Sequence, residues 1–224
     1  ILIANRGEIA VRIIRACNDL NIESVAIYSH ADRDSLHVKM ATHTYAISED
    51  PIKGYLDPDL IIQAAKATDS EAIHPGYGFL SENQNFVEIC KYHNIEFIGP
   101  NSEVMALMSD KSKAKEVMKN AGVPVIPGSD GAIKSKEEAL KLAKEIGYPV
   151  ILKAAAGGGG RGMRIVQSEE NMFNAYLAAE SEAISAFGDG TIYMEKFIDK
   201  PKHIEVQILA DKHGNVLHIG ERDC

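Results

Sequence analysis

The chain has 224 residues, 45% of them hydrophobic and 25% charged, with a formal net charge of −8. That is enough for one large or two small globular domains, and an acidic balance without a dense Lys/Arg tract argues against a nucleic-acid surface. No apolar run is long enough to span a membrane, and Cys17, Cys90 and Cys224 form no metal or redox spacing, so a reducing, cytoplasmic location without membrane is expected.

In the first hundred residues, short apolar runs alternate with amphipathic ones. Ile1-Leu-Ile-Ala4 reads as a core strand, not a signal peptide; a start there without Met is expected to follow a few further N-terminal residues. Gly7 to Leu20 places Ile9, Ile13, Ala16, Cys17 and Leu20 on one helical face. Strands follow at Ser24–Tyr28 and Tyr45–Ile47, a helix over Leu60–Ala67, a strand at Glu71–His74, a helix over Asn83–His93 and a strand at Ile95–Ile98. Such alternation predicts a parallel sheet covered by helices, with sites beyond the carboxyl ends of its strands. Those ends carry Asn5-Arg-Gly-Glu8, Ser29-His-Ala-Asp-Arg33 and His74-Pro-Gly-Tyr-Gly-Phe79. His74 reads as a loop residue fixing a turn, and Cys90 as a core filler.

The pattern breaks at Gly99-Pro-Asn-Ser102. Glu103 to Ala121 reads as a helical connector with Ser109-Asp110 as a cap, and Lys111, Lys113 and Lys115 crowd the helix start against the macrodipole. Two readings stay open there: a solvated face, or a lysine that meets an anion.

A second unit starts near Pro124-Val-Ile-Pro-Gly128. It reads as helix (Ser135–Ile146), strand (Val150–Lys153), a glycine-rich loop, strand (Met163–Val166), helix (Glu169–Phe187) and strand (Thr191–Glu195), an α+β unit in which the loop turns a hairpin. The loop holds Gly157, Gly158, Gly159, Gly160 and Gly162. Backbone without Cβ atoms can approach an anion closely, and Lys153 adds a point charge suited to phosphate, so the loop reads as a phosphate-covering flap. Gly157, Gly159 and Gly162 formally satisfy G-x-G-x-x-G, but the dinucleotide fingerprint needs a helix directly after the loop, and a short β-branched run follows instead. A Walker A loop is absent: Gly128 to Ser135 comes nearest and has Ile133 where glycine is required. A plain flexible linker leaves the flanking strands and charges unexplained.

In the last segment Ile204, Val206 and Ile208 face one side and His203, Glu205 and Gln207 the other; Asp211–Asn215 turns the chain and Val216–Glu221 returns. Two strands alone are marginal in water, so this hairpin is expected to open a larger sheet of a third domain that continues past Cys224. His203-x-Glu205 lacks the downstream P-C-x-x-C of a zinc deaminase. A polar pair on an exposed strand face, or a strand lining a nucleotide pocket, are the remaining readings.

These strings together resemble the biotin carboxylase family of the ATP-grasp superfamily, along the whole chain. The resemblance rests on Ile3-Ala-Asn-Arg-Gly-Glu-Ile-Ala10, Ala31-Asp-Arg-Asp34, His74-Pro-Gly-Tyr-Gly-Phe-Leu-Ser-Glu-Asn83 and Gly147-Tyr-Pro-Val-Ile-Leu-Lys-Ala154. It continues through Gly157-Gly-Gly-Gly-Arg-Gly-Met163, Tyr193-Met-Glu-Lys196, His203-Ile-Glu-Val-Gln207 and Glu221-Arg-Asp-Cys224.

The resemblance implies an α/β fold: a Rossmann-like N-terminal (pre-ATP-grasp) parallel sheet over residues 1–100, a helical connector at 101–123, an α+β ATP-grasp lid at 124–196 and the first hairpin of a further domain at 197–224. It implies a ligase that uses MgATP and bicarbonate to form carboxyphosphate and then carboxylates biotin on a carrier protein. The implied partners are a biotin carboxyl carrier protein or domain, a carboxyltransferase subunit or domain and a second copy in a homodimer. By motif match, Lys111 and Lys153 meet the ATP phosphates or the nearby base and the glycine loop closes over them. Met163 packs near the base; Glu195, Lys196, Phe197 and Ile198 hold adenine at the hinge, and His203 approaches the ribose. The family's magnesium carboxylates and catalytic groups lie beyond Cys224, so no catalytic or metal residue is assigned within this chain, and the chain alone is expected to be inactive. Asp50-Pro-Ile-Lys-Gly-Tyr-Leu-Asp57 looks more like pyruvate carboxylases than acetyl-CoA carboxylases. Alternative functions are another ATP-grasp carboxylate–amine or carbamoyl-phosphate ligase, a non-catalytic nucleotide-binding or assembly module, and, weakest, a nicotinamide oxidoreductase.

Overall fold

The structure, a computed structural model, describes residues 1–109, 111–155 and 162–223, with the backbone alone at Lys111 and Ser112. The chain divides into two compact units, Ile1–Ala121 and Gly122–Cys224.

The first unit runs β1 (Leu2–Ile3), α1 (Gly7–Asp19), β2 (Val25–Ser29), α2 (Leu36–Met40), β3 (His43–Ser48), α3 (Pro58–Ala67), β4 (Ala72–His74), α4 (Gln84–Tyr92), β5 (Glu96–Phe97), α5 (Ser102–Ser109) and α6 (Lys111–Asn120). The five strands form one sheet in the order β3-β2-β1-β4-β5, parallel throughout. The predicted parallel sheet is therefore present. Its short strands are apolar on both faces, with Leu2, Ile3, Val25, Ala26, Ile27 and Ile73 all buried, as helices on both sides require.

Several boundaries move, each for a local reason. α3 begins at Pro58 because Asp57 caps it, its carboxylate accepting from Asp59 N (3.0 Å) and Leu60 N (3.2 Å), while Pro58 needs no donor in the first turn. Asn83 caps α4 by accepting from Phe86 N at 2.9 Å. Leu20 is a correction: the helical period put it on the buried face, yet α1 ends at Asp19 and Leu20 is 68% exposed. The buried positions of α1 are Ala10, Val11, Ile13, Ile14 and Cys17. The helix expected over Glu103–Ala121 is two helices, α5 and α6. Asn101 starts the first by accepting from Val104 N, and the Ser109 hydroxyl closes it by donating to Ala106 O. Asp110, half of the expected cap, lies outside the described residues.

The second unit runs α7 (Lys136–Ile146), β6 (Val150–Ala154), β7 (Met163–Val166), α8 (Glu169–Phe187), β8 (Ile192–Lys196), β9 (Ile204–Ala210) and β10 (Val216–Asp223). β6 is central in a three-stranded antiparallel sheet, β7-β6-β8, so the glycine-rich segment does join the two strands of a hairpin. α7 and α8 pack on one face of it. That core is built from Ala139, Ala143, Met172, Tyr176, Ala179 and Ala183 of the helices against Val150, Leu152, Ala154, Val166, Ile192 and Met194 of the strands. Residues 127–133 run along the outer edge of β8, with Lys196 N donating to Pro127 O, Ser129 N to Met194 O and Ile133 N to Ile192 O, all at 2.8 Å. β9 and β10 form a two-stranded antiparallel sheet whose register shifts between His218 and Glu221. Among the described residues no helix is long and apolar enough to cross a membrane.

Candidate functional site

Side chains alternate across a strand, so burying Val150, Leu152, Ala154, Ile192 and Met194 under the helices turns their neighbours to the opposite face. The register then fixes a grid of two rows. Lys153 lies between Met163 and Tyr193; Ile151 lies between Ile165 and Glu195. Met163 and Ile165 are 44% and 48% exposed, so one side of this face is an open apolar floor. Across it the Lys153 ammonium donates to Glu195 Oε2 at 2.6 Å, the two side chains being 27% and 20% exposed. A flat apolar surface beside a half-buried cation can take a planar ring on the floor and an anion at its edge.

The root of the glycine-rich segment is firm where it is described. Gly162 has φ +71°, its carbonyl accepts from Ala154 N at 2.9 Å, and a Cβ placed on it would lie 2.8 Å from Ala154 Cβ. Only glycine fits that approach and that backbone conformation. On the other strand Ala155 N donates to Thr191 O at 2.8 Å. Gly157, Gly158, Gly159 and Gly160, which the sequence assigns to phosphate, lie outside the described residues.

Lys196 follows Glu195 and so turns to the other face, where its ammonium donates to Gly147 O (2.8 Å) and Tyr148 O (2.9 Å). Its charge therefore clamps the turn between α7 and β6, a role the sequence did not indicate. Phe197 N donates to Pro149 O at 3.1 Å, continuing that clamp, and Ile198 is exposed just beyond it. His203 is exposed ahead of β9. Lys111 is the first residue of α6, in the first unit, and its backbone alone is described. Ile151, Ile165 and Tyr193 escaped the sequence reading. Counting alternate positions outward from Lys153 would have placed them on its face.

In the first unit the carboxyl-end residues are tied to one another. Asp32 Oδ2 accepts from Arg6 Nη1 (3.0 Å), Tyr55 OH (2.9 Å) and Ser29 Oγ (3.1 Å). Asn5 Nδ2 donates to Pro75 O and Tyr77 O, both at 2.8 Å. His74 Nδ1 accepts from Gly76 N at 3.1 Å, which places its proton on Nε2 and fixes the turn as expected. Burial pushes the His74 and His37 imidazoles below their ordinary value and lifts the Cys90 thiol to about 12, consistent with Cys90 as core. Among the described residues no group of three or more His, Cys, Asp and Glu side chains is placed to hold a metal ion.

Two family models match the chain: the biotin carboxylase N-terminal domain over residues 1–105 and the ATP-binding domain of the carbamoyl-phosphate synthase L chain over residues 110–224. All of the chain aligns with the 2-oxoglutarate carboxylase small subunit of Hydrogenobacter thermophilus, at 55% identity and covering 48% of that protein. It also aligns with a biotin carboxylase of Nostoc sp., at 56% identity and covering 50%. Among solved structures, a biotin carboxylase–β,γ-ATP complex from Campylobacter jejuni matches the whole chain with a TM-score of 0.82 and 62% identity, over 50% of that chain. The bicarbonate-bound biotin carboxylase domain of a thermophilic 2-oxoglutarate carboxylase matches with a TM-score of 0.92 and 52% identity, over 48%. The chain spans about half the length of the curated relatives it matches.

Proposed function

We propose that this chain, which belongs to the biotin carboxylase family, supplies the nucleotide-handling part of an enzyme that carboxylates biotin on a carrier protein with ATP and bicarbonate. In that reaction a bicarbonate oxygen takes the terminal phosphoryl group of ATP, releasing ADP. The carboxyl group of the resulting mixed anhydride then passes to a biotin nitrogen as its bond to phosphate breaks, releasing inorganic phosphate and the proton that the nitrogen carried.

The observation that carries the reading is the open face of the β7-β6-β8 sheet, with its apolar floor and its Lys153–Glu195 pair beside the root of the glycine-rich segment. On this reading adenine lies on Met163, Ile151 and Ile165, with backbone groups of Glu195, Lys196, Phe197 and Ile198 at its edge. Lys153 meets the phosphates, and Gly157 to Gly160 and Gly162 cover them, excluding the water that would destroy a labile anhydride. Lys111 is proposed as a second phosphate contact and His203 as a ribose contact. Magnesium would neutralise the phosphates when bound; no position for it is assigned to the described residues.

By domain, residues 1–100 are proposed as the pre-ATP-grasp domain, 101–123 as the connector, 124–196 as the lid and 197–224 as the opening of a further domain. A carrier protein or domain, a carboxyltransferase partner, a homodimeric state and a cytoplasmic location are proposed with them. Relatives named as subunits or domains of 2-oxoglutarate and pyruvate carboxylases support the first two. The chain alone is proposed to be inactive, and the final acceptor of the carboxyl group is proposed to be pyruvate before acetyl-CoA.

Radiolabelled bicarbonate tests the reading. The full-length protein with ATP should place acid-labile label on free biotin. The carbamoyl-phosphate synthase family model over residues 110–224 favours a second reading, another ATP-grasp carboxylate–amine or carbamoyl-phosphate ligase, in which a carboxylate or bicarbonate is phosphorylated by ATP and an amine then displaces the phosphate. Label that ignores biotin and follows ammonia or glutamine would select it.

A further inference from the structure

We infer that Glu195 is a positioning residue: its carboxylate holds the Lys153 ammonium over the open face of the sheet, where it meets the phosphates of the nucleotide. This rests on the nucleotide reading above and adds to it a division of labour between two residues of the site.

Three observations point this way. First, the pair is close, 2.6 Å, and partly shielded, unlike the exposed pairs that contribute little, such as Lys136 with Glu137 at 3.8 Å. Second, the carboxylate stands on a rigid base. β8 is hydrogen-bonded to β6 on one side and to residues 127–133 on the other, and its alternate residues Ile192 and Met194 are fully buried. Third, the other ammonium at this end of β8, that of Lys196, is held by Gly147 O and Tyr148 O on the opposite face and does not compete for Glu195.

A lysine side chain has four rotatable bonds and high rotamer entropy, so an ammonium already held in place binds an anion without paying for its own ordering. It also carries three donors, so it can keep Glu195 and still donate to a phosphate oxygen. Coulomb's law alone argues the other way. A carboxylate beside Lys153 cancels part of its attraction for phosphate, and its removal should then tighten binding. The two effects have opposite signs, which makes the inference decidable.

The test compares the affinities of the full-length protein for ATP and for adenosine, in wild type, Glu195→Gln, Lys153→Met and the double variant. The ratio of the two affinities reads the phosphate contribution within one folded protein, so a loss of folded material cancels. Positioning predicts that Glu195→Gln lowers the ATP-to-adenosine ratio about tenfold, or about 1.4 kcal/mol, with adenosine affinity unchanged. It also predicts that the same change has no further effect on the Lys153→Met background. A ratio that rises would overturn the inference in favour of simple charge cancellation, and unchanged affinities for both ligands would overturn it by showing that the carboxylate does not act on Lys153. Equal weakening of ATP and adenosine would overturn it in favour of direct contact with the base, and an undiminished effect without Lys153 would also overturn it. A wild-type protein that binds ATP while any of these holds leaves the nucleotide reading intact; one that binds neither ligand removes both.

Discussion

Lys153 and Glu195 lie 42 positions apart in sequence and are brought together by the antiparallel register of β6 and β8. Lys153 was legible by itself, as a charge ending an apolar run before a glycine-rich segment. Glu195 was legible as a charge near a strand that could line a nucleotide pocket, with its specific role given only by resemblance, and Ile165 not at all, because a β-branched residue in a strand suits either face until pairing is known. Lys153→Met should weaken ATP binding by about ten- to a hundredfold, the scale of a charge-assisted hydrogen bond of about 1.5–3 kcal/mol. Titration of the variant with ATP checks this, and an unchanged affinity would remove Lys153 from the site. Gly162 offers a second test. A methyl group there would press on Ala154 Cβ from a strained backbone, at a cost of about 1–3 kcal/mol. Gly162→Ala should therefore lower the melting temperature of the second unit by about 5 °C or more, read by calorimetry.

Among the elements, β8 has a part that its sequence conceals. It reads as one more apolar strand, yet it gathers β6, residues 127–133 and the turn after α7, the last of these through the Lys196 ammonium. A lysine at a strand end carries no signal that distinguishes a ligand contact from a clamp on carbonyl groups; only the register, which sets Glu195 and Lys196 on opposite faces, does so. Lys196→Met should destabilise the protein by about 1–2 kcal/mol, since two carbonyls lose a charged donor while remaining partly open to water. Denaturant titration measures this, and an unaltered midpoint would contradict the clamp. The parallel strands of the first unit were legible because each is a short apolar run between amphipathic segments. α2, at five residues, is too short for a helical period to register, and Leu20 continues that period one residue past the end of α1. Helix starts moved where an Asx cap decided them, at Asp57 and Asn83.

For the whole molecule, the first unit carries a built-in acid sensitivity. His37 and His74 are held neutral chiefly by burial, with Asp32 and Arg6 acting in opposite directions on His37 as smaller influences. Their folded pKa values lie below the unfolded value of about 6.5, so the stability they contribute is complete above that pH and is lost as pH falls from it through the lower folded values. The urea midpoint should drop between about pH 7.5 and 5.5, and His37→Leu should narrow the difference. The family was legible throughout because its strings fall where the fold needs special residues. Asn5 bonds the turn at Pro75 and Tyr77, His74 fixes that turn, and Gly162 meets Ala154. The central claim, ATP-dependent carboxylation of biotin, is tested most directly by ADP release from the full-length protein, with bicarbonate and biotin each added and withheld. The account predicts full release only when both are present. Release indifferent to biotin and driven by another acid or amine would contradict it.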